Sequence, residues 1–152
     1  MNFTELLGLQ QIVPRLSATD RWAVIDQLID VLVRTGKIRA EDRETVRKAV
    51  KDRETTKTTG IGYGIALPHA SVGCIQDVVA AFGRPVQGVD FQALDNQPVT
   101  MCVLFLTPQG QFQKHLVTLS TFARLLSNKE IRQKLEAAQN PEEILAIFRA
   151  AA

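Results

Sequence analysis

Thr58-Thr59-Gly60-Ile61-Gly62-Tyr63-Gly64-Ile65-Ala66-Leu67-Pro68-His69-Ala70 lies near the middle of a chain of 152 residues and divides it into unlike parts. Three glycines in five positions, Gly60, Gly62 and Gly64, sit poorly in a regular helix, because glycine loses more backbone freedom on ordering than any other residue. The stretch therefore predicts a loop that feeds an extended segment, Ile65 to Pro68. Further β-type runs follow at Val78 to Phe82 and Val99 to Leu106, with Gly83, Gly88, Asp95-Asn96 and Pro98 as turn punctuation. The middle of the chain reads as sheet.

Outward from it in both directions the periodicity changes to that of helices. From Ser17 to Arg34, Trp22, Ile25, Leu28, Ile29, Leu32 and Val33 recur at three- and four-residue spacing, behind Thr19 or Asp20 as cap and ahead of Gly36. A more polar helix is expected over Ala40 to Lys51, where Val46, Ala49 and Val50 form a narrow apolar stripe. After the sheet, Phe112 to Ser127 places Leu116, Leu119, Phe122, Ala123, Leu125 and Leu126 on a buried side. Lys129 to Ala137 and Pro141 to Ala150 complete the chain, the last capped by Asn140 and opened by Pro141 and two acids. The order of helices, strands and helices predicts an α/β fold, a single domain over 1–152 with a mixed β-sheet flanked by helices on both faces.

Composition narrows the function. Hydrophobic residues make up 45% and charged ones 22%, near the globular average, and the net charge of +2 is spread along the chain with no basic tract. Nucleic acid is therefore not an expected partner. Cys74 and Cys102 have no metal-ligand or redox spacing and are expected as buried, reduced thiols. The opening MNFTELLGLQQ lacks the features of a signal peptide. The longest apolar run, the eight residues from Val99 to Leu106, falls far short of the roughly 20 that span a bilayer. No direct membrane insertion is expected, and the expected localisation is cytoplasmic.

Chemistry concentrates at Pro68-His69. An apolar strand that ends there presents one imidazole, and imidazole titrates near pH 6.5, so its neutral, nucleophilic form is abundant at neutral pH. Pro68 fixes its own φ and holds Leu67 extended, which aims the ring reproducibly. Backbone N–H groups around Gly60, Gly62 and Gly64, with hydroxyls of Thr58, Thr59 or Ser71, can supply donors to the oxygens of a phosphoryl group. Read from the residues alone, His69 is either that nucleophile or a structural histidine of the core. Likewise Arg53 is either a site residue or no more than a partner of Glu54 or Asp52, and His115 sits at helical spacing beside Leu119.

A resemblance bears on the choice. Arg53-Glu54 followed by Thr59-Gly60-Ile61-Gly62-x-Gly64-Ile65-Ala66-Leu67-Pro68-His69-Ala70 resembles the signature of the fructose/mannitol-type enzyme IIA family of the phosphoenolpyruvate-dependent sugar phosphotransferase system, which includes a nitrogen-regulatory branch. Gly88-Val89-Asp90-Phe91, Pro98-Val99, Thr107-Pro108, His115-Leu116 and the helical tail resemble it in order and spacing, so the likeness covers nearly the whole chain. It implies that His69 accepts phosphate from an HPr-type phosphocarrier and, in transport members, passes it to an enzyme IIB. It implies a second active-site histidine at His115 and an arginine, Arg53, that neutralises developing negative charge, which suits a permanently charged planar fork. No cofactor or metal is implied. Two departures stand out: Tyr63 occupies a position where relatives often carry Asn, and Ser71 one where many carry a basic residue.

The function expected is a phosphohistidine carrier that serves sugar uptake or regulation. A single domain of this length leans towards the regulatory branch. The alternative kept beside it is a regulatory binding module of the same fold that docks without phosphorylation. A hydrolase is disfavoured by the absence of a G-x-S-x-G elbow, and zinc catalysis by two histidines 46 residues apart with no H-E-x-x-H.

Overall fold

The computed structural model describes residues 3–151; Met1, Asn2 and Ala152 of the expected 1–152 domain lie outside the described residues. A four-residue helix α1 (Phe3–Leu6) leads into strand β1 (Ile12–Leu16), helix α2 (Arg21–Arg34) and helix α3 (Arg43–Thr56). Five short strands follow: β2 (Gly60–Gly62), β3 (Ile65–Ala66), β4 (His69–Val72), β5 (Val79–Pro85) and β6 (Met101–Pro108). Helices α4 (Phe112–Ser127), α5 (Lys129–Ala137) and α6 (Pro141–Ala151) close the chain.

The sheet runs β1-β5-β6-β3-β2, with β4 also paired to β6 beyond β3. β1 is parallel to β5, and β3 and β4 are parallel to β6, while β5–β6 and β2–β3 are antiparallel. The sheet is mixed, as the element order predicts. Every residue of β6 is buried. Met101, Val103 and Phe105 face a core built with α4, α5 and α6, whereas Cys102, Leu104 and Leu106 face α2 and α3. A strand covered on both faces reads as an unbroken apolar run instead of an alternating one.

β1 was not expected from the sequence. Its five residues include Pro14, which cannot donate to a ladder and argues against a strand except at an edge, and β1 lies at an edge of the sheet. Gly83, expected in a turn, stands inside β5, paired with Val13 and Cys102. A Cβ there would lie 2.4 Å from Cδ1 of Leu16, so the glycine marks a close approach of β5 to β1 and α2.

The first long helix begins at Arg21, with the Asp20 carboxylate accepting from the Ala23 N–H at 2.9 Å. α3 runs five residues past the expected Lys51, to Thr56. Its buried line is Val46, Val50 and Glu54, at four-residue spacing, and apolar periodicity cannot see a carboxylate on that line. The Thr55 and Thr56 hydroxyls donate back to the Lys51 and Asp52 carbonyls and finish the helix. Cys102 is buried as expected, but Cys74 is exposed, in the turn between β4 and β5. No helix among the described residues is long and apolar enough to cross a membrane.

Candidate active site

Strands β3 and β4 are one line of chain interrupted at Leu67-Pro68. Ile65 and Ala66 pair with Met101 and Cys102, and pairing resumes with His69 opposite Phe105. Across the break the Leu67 N–H donates to the Thr59 carbonyl at 3.0 Å, and the Phe105 N–H donates to the Pro68 carbonyl at 3.0 Å. The interruption leaves the Leu67 carbonyl available, and Nδ1 of His69 lies 2.6 Å from it. A carbonyl only accepts, so Nδ1 carries the hydrogen and the neutral ring keeps its lone pair on Nε2.

The His69 ring stacks on Phe105, with centroids 4.9 Å apart and planes 7° from parallel. His69 is 2% exposed. Burial, first, and then the charges of Arg53 and His115 push its pKa down to about 4, against the bond to Leu67, which favours the charged form. At neutral pH the ring is therefore uncharged and nucleophilic without a base.

His115 comes from the first turns of α4, and its centroid is 5.0 Å from that of His69. Its Nδ1 is 3.1 Å from the Thr107 hydroxyl and 3.5 Å from that of Ser71, and the two hydroxyls are 3.1 Å apart. Burial and the Arg53 charge hold its pKa below the ordinary value. Arg53 approaches from the last turn of α3, so the helix extension is what delivers it. Its Nη1 donates to the Lys57 carbonyl at 2.9 Å. Neither acid that might have claimed it does so: Glu54 accepts from Thr59, and Asp52 pairs with Lys48. The guanidinium is close enough to disfavour protonation of both histidines.

Ser71, exposed on β4, joins the site through its bonds to Thr107 and His115. The glycine loop does not. Gly62, Tyr63 and Gly64 have φ of 99°, 59° and 78° and form the tip of the β2–β3 hairpin. That hairpin pairs at the Met101 end of β6, four residues from Phe105, or roughly 13 Å along a strand. There the Tyr63 N–H donates to Asp95, and the Tyr63 ring lies 4.4 Å from the Arg132 guanidinium. The left-handed backbone at Tyr63, with φ of 59°, is one that asparagine adopts more easily than an aromatic residue. Gly60 packs against Ala93, its N–H given to the Thr58 hydroxyl, and the Thr59 side chain turns to Glu54. Thr107, buried at 0% exposure, is a site residue that sequence reading missed: Thr107-Pro108 counted only towards the resemblance, and a polar residue at the end of an apolar strand marks no role by itself.

A mixed sheet with helices on both faces, with two histidines facing each other beside it, places the chain in the class of α/β proteins. Within that class, the chain belongs to the family of EIIA 2 proteins of the phosphoenolpyruvate-dependent sugar phosphotransferase system, whose model matches residues 5–151. The fructose-specific EIIABC component of Bacillus subtilis is 36% identical over 97% of this chain, which spans 23% of that protein's length. A nitrogen regulatory protein of Bradyrhizobium diazoefficiens is 29% identical over 97% of this chain and 95% of its own. Nitrogen Regulatory Protein IIA-Ntr from Neisseria meningitidis superposes with a TM-score of 0.88 at 29% identity, covering 96% of this chain and 98% of that one.

Proposed function

We propose that this chain is a cytoplasmic phosphohistidine carrier: Nε2 of His69 takes a phosphoryl group from an HPr-type protein and either passes it to an enzyme IIB or holds it as a signal read by a regulatory target. The observation that carries the reading is the bond from Nδ1 of His69 to the Leu67 carbonyl, which leaves Nε2 as the only basic nitrogen. Attack by its lone pair forms the N–P bond as the donor's N–P bond breaks, and the donor imidazole leaves with that bond's electron pair. Arg53 stabilises the negative charge that spreads over the equatorial oxygens, and His115 hydrogen-bonds one of them. The same guanidinium that disfavours an imidazolium favours a phosphoryl group on the ring.

Family membership supports the reading, as do the names of the relatives, which divide between sugar transport and nitrogen regulation. The test is transfer of labelled phosphate from phosphoenolpyruvate through enzyme I and an HPr-type protein to this chain. Acid-labile label is expected on the parent chain and His115→Ala, weaker on the latter, and absent from His69→Ala. Folded parent protein that takes no label from any donor would sink the reading and leave docking without phosphorylation.

A further inference from the structure

We propose that Glu54 is a positioning residue for transfer at His69, acting through a clasp on Thr59 that holds the turn from which both Arg53 and the His69 ring are aimed. The inference rests on the phosphocarrier reading above.

Glu54 is 1% exposed and lies in the last turn of α3. A carboxylate there faces the negative end of the helix dipole and has lost its water, so its placement is costly on both counts. Both of its oxygens are committed to a single residue: Oε2 accepts the Thr59 N–H at 2.8 Å and Oε1 accepts the Thr59 hydroxyl at 2.5 Å. Thr59 itself is 4% exposed. Helix ends are commonly closed by a glycine or by water, with no buried charge. Something beyond closing the helix is therefore held here.

Two sets of hydrogen bonds flank the clasp, and only the second begins at Thr59 itself. One runs back along the turn, where the Lys57 carbonyl receives Nη1 of Arg53 at 2.9 Å and the Thr58 hydroxyl, donated to the Phe91 carbonyl at 2.6 Å, also receives the Gly60 N–H. The other runs forward across the hairpin. The Thr59 carbonyl receives the Leu67 N–H at 3.0 Å, and the carbonyl of the same Leu67 receives Nδ1–H of His69 at 2.6 Å. Leu67 thus hangs from Thr59 by its N–H and sets the tautomer of His69 by its carbonyl. One buried carboxylate fixes the segment that carries the arginine's anchor and the histidine's. Glu54 touches neither phosphate nor ring; its effect is on aim, which matters because displacement at phosphorus is in line.

The test compares Thr59→Val, which removes the hydroxyl donor and keeps the shape, with Thr59→Ser, which restores it, in the full chain. Two quantities are read: transfer from a phosphorylated HPr-type donor, and the nitrogen NMR spectrum of the His69 imidazole in unphosphorylated protein. In Thr59→Val, kcat is expected to fall about 10–100-fold, as for losses of an orienting outer partner, with KM for the donor unchanged. The His69 Nδ1–H signal is expected to shift or broaden as the ring samples its other tautomer, and Thr59→Ser returns both to parental values. A structural role alone would lower the melting temperature and leave the imidazole spectrum as it is. Folded Thr59→Val with parental rate and spectrum overturns the proposal, as does equal loss in Thr59→Ser. Should Thr59→Val not fold, Thr59→Ala removes the same donor with less bulk and is judged by the same outcomes. If the parent chain takes no label, the phosphocarrier reading fails, and the spectrum by itself decides whether the clasp sets the tautomer.

Discussion

His69 is chemically ready because it is hard to protonate, and that readiness has a measurable cost in acid. In the unfolded chain its imidazole titrates near 6.5, and in the folded protein near 4. Between those values the unfolded state binds a proton that the folded state refuses, so stability is at its full value above pH 6.5 and falls as the pH drops towards 4. The loss from this residue is roughly 3 kcal/mol by the time pH 4 is reached, at about 1.4 kcal/mol for each pH unit of difference. His115, lowered by burial and by Arg53, adds in the same direction. Urea denaturation at pH 7.5 and pH 4.5 should therefore show a smaller acid loss in His69→Gln than in the parent chain. Equal losses would mean that the folded ring accepts a proton as readily as the unfolded one.

At the scale of elements, the site depends on how tightly the strands are drawn together. β5 lies between β1 and β6, and at Gly83 the side chains of Leu16 and Leu28 fill the space that a Cβ would take. Gly83→Ala should lower stability by about 1–3 kcal/mol through overpacking. Adding Leu16→Val should recover part of that loss, because the clash is with Cδ1 of Leu16. The urea midpoints of the single and double variants check this, and an additive double variant would show that the two positions do not share a clash. Helices α5 and α6 are held by their own caps: Asn128 accepts from the Ile131 N–H at 3.1 Å and Asn140 from the Glu143 N–H at 2.9 Å. Arg84 on β5 adds a tie between layers, donating to the carbonyls of Leu135 and Ala138 at the end of α5. These bonds keep α5 and α6 packed behind the strand that supports His69.

For the whole molecule, the notable surface is at the start of α4, next to His115. Leu116 was expected on the buried side of this helix, but it is 47% exposed, beside Phe112 at 71% and Val117 at 49%. Of the residues that α4 buries, Thr118, Phe122, Leu125 and Leu126, three lie in its second half, and the apolar side chains of its first turns stay outside the core. In a phosphocarrier, apolar side chains around the acceptor histidine suit a partner that must dock, transfer and leave. On the phosphocarrier reading, Phe112→Ser should raise KM for the phosphorylated donor several-fold and leave kcat at saturation unchanged. Its melting temperature should stay near the parental value, since surface changes are usually worth no more than about 0.5 kcal/mol. A fall in kcat with unchanged KM would place Phe112 in the chemistry instead of the docking.

The long helices, the strand character of the middle and the break at Pro68-His69 were legible in the amino-acid sequence, because each is a local property: apolar spacing, capping residues, clustered glycines and a proline that cannot donate. α4 and α5 have the bounds their pattern predicts. The resemblance pointed to His69, His115 and Arg53 by their order along the chain. What makes them one site is decided only by long-range pairing. The register of β4 on β6 puts His69 on Phe105, the packing of α4 brings His115 to 5.0 Å from it, and the extra turns of α3 deliver Arg53 from the other layer. The same register carries Gly62 and Gly64 to the far end of the strand, although they lie within seven residues of His69 in the chain. Sequence proximity bounds separation but does not set direction, and direction is set by which strand a hairpin pairs with and where. The tautomer of His69, the burial of Glu54 and the exposure of Leu116 belong to that second kind of fact, because each depends on atoms brought close only when the layers close.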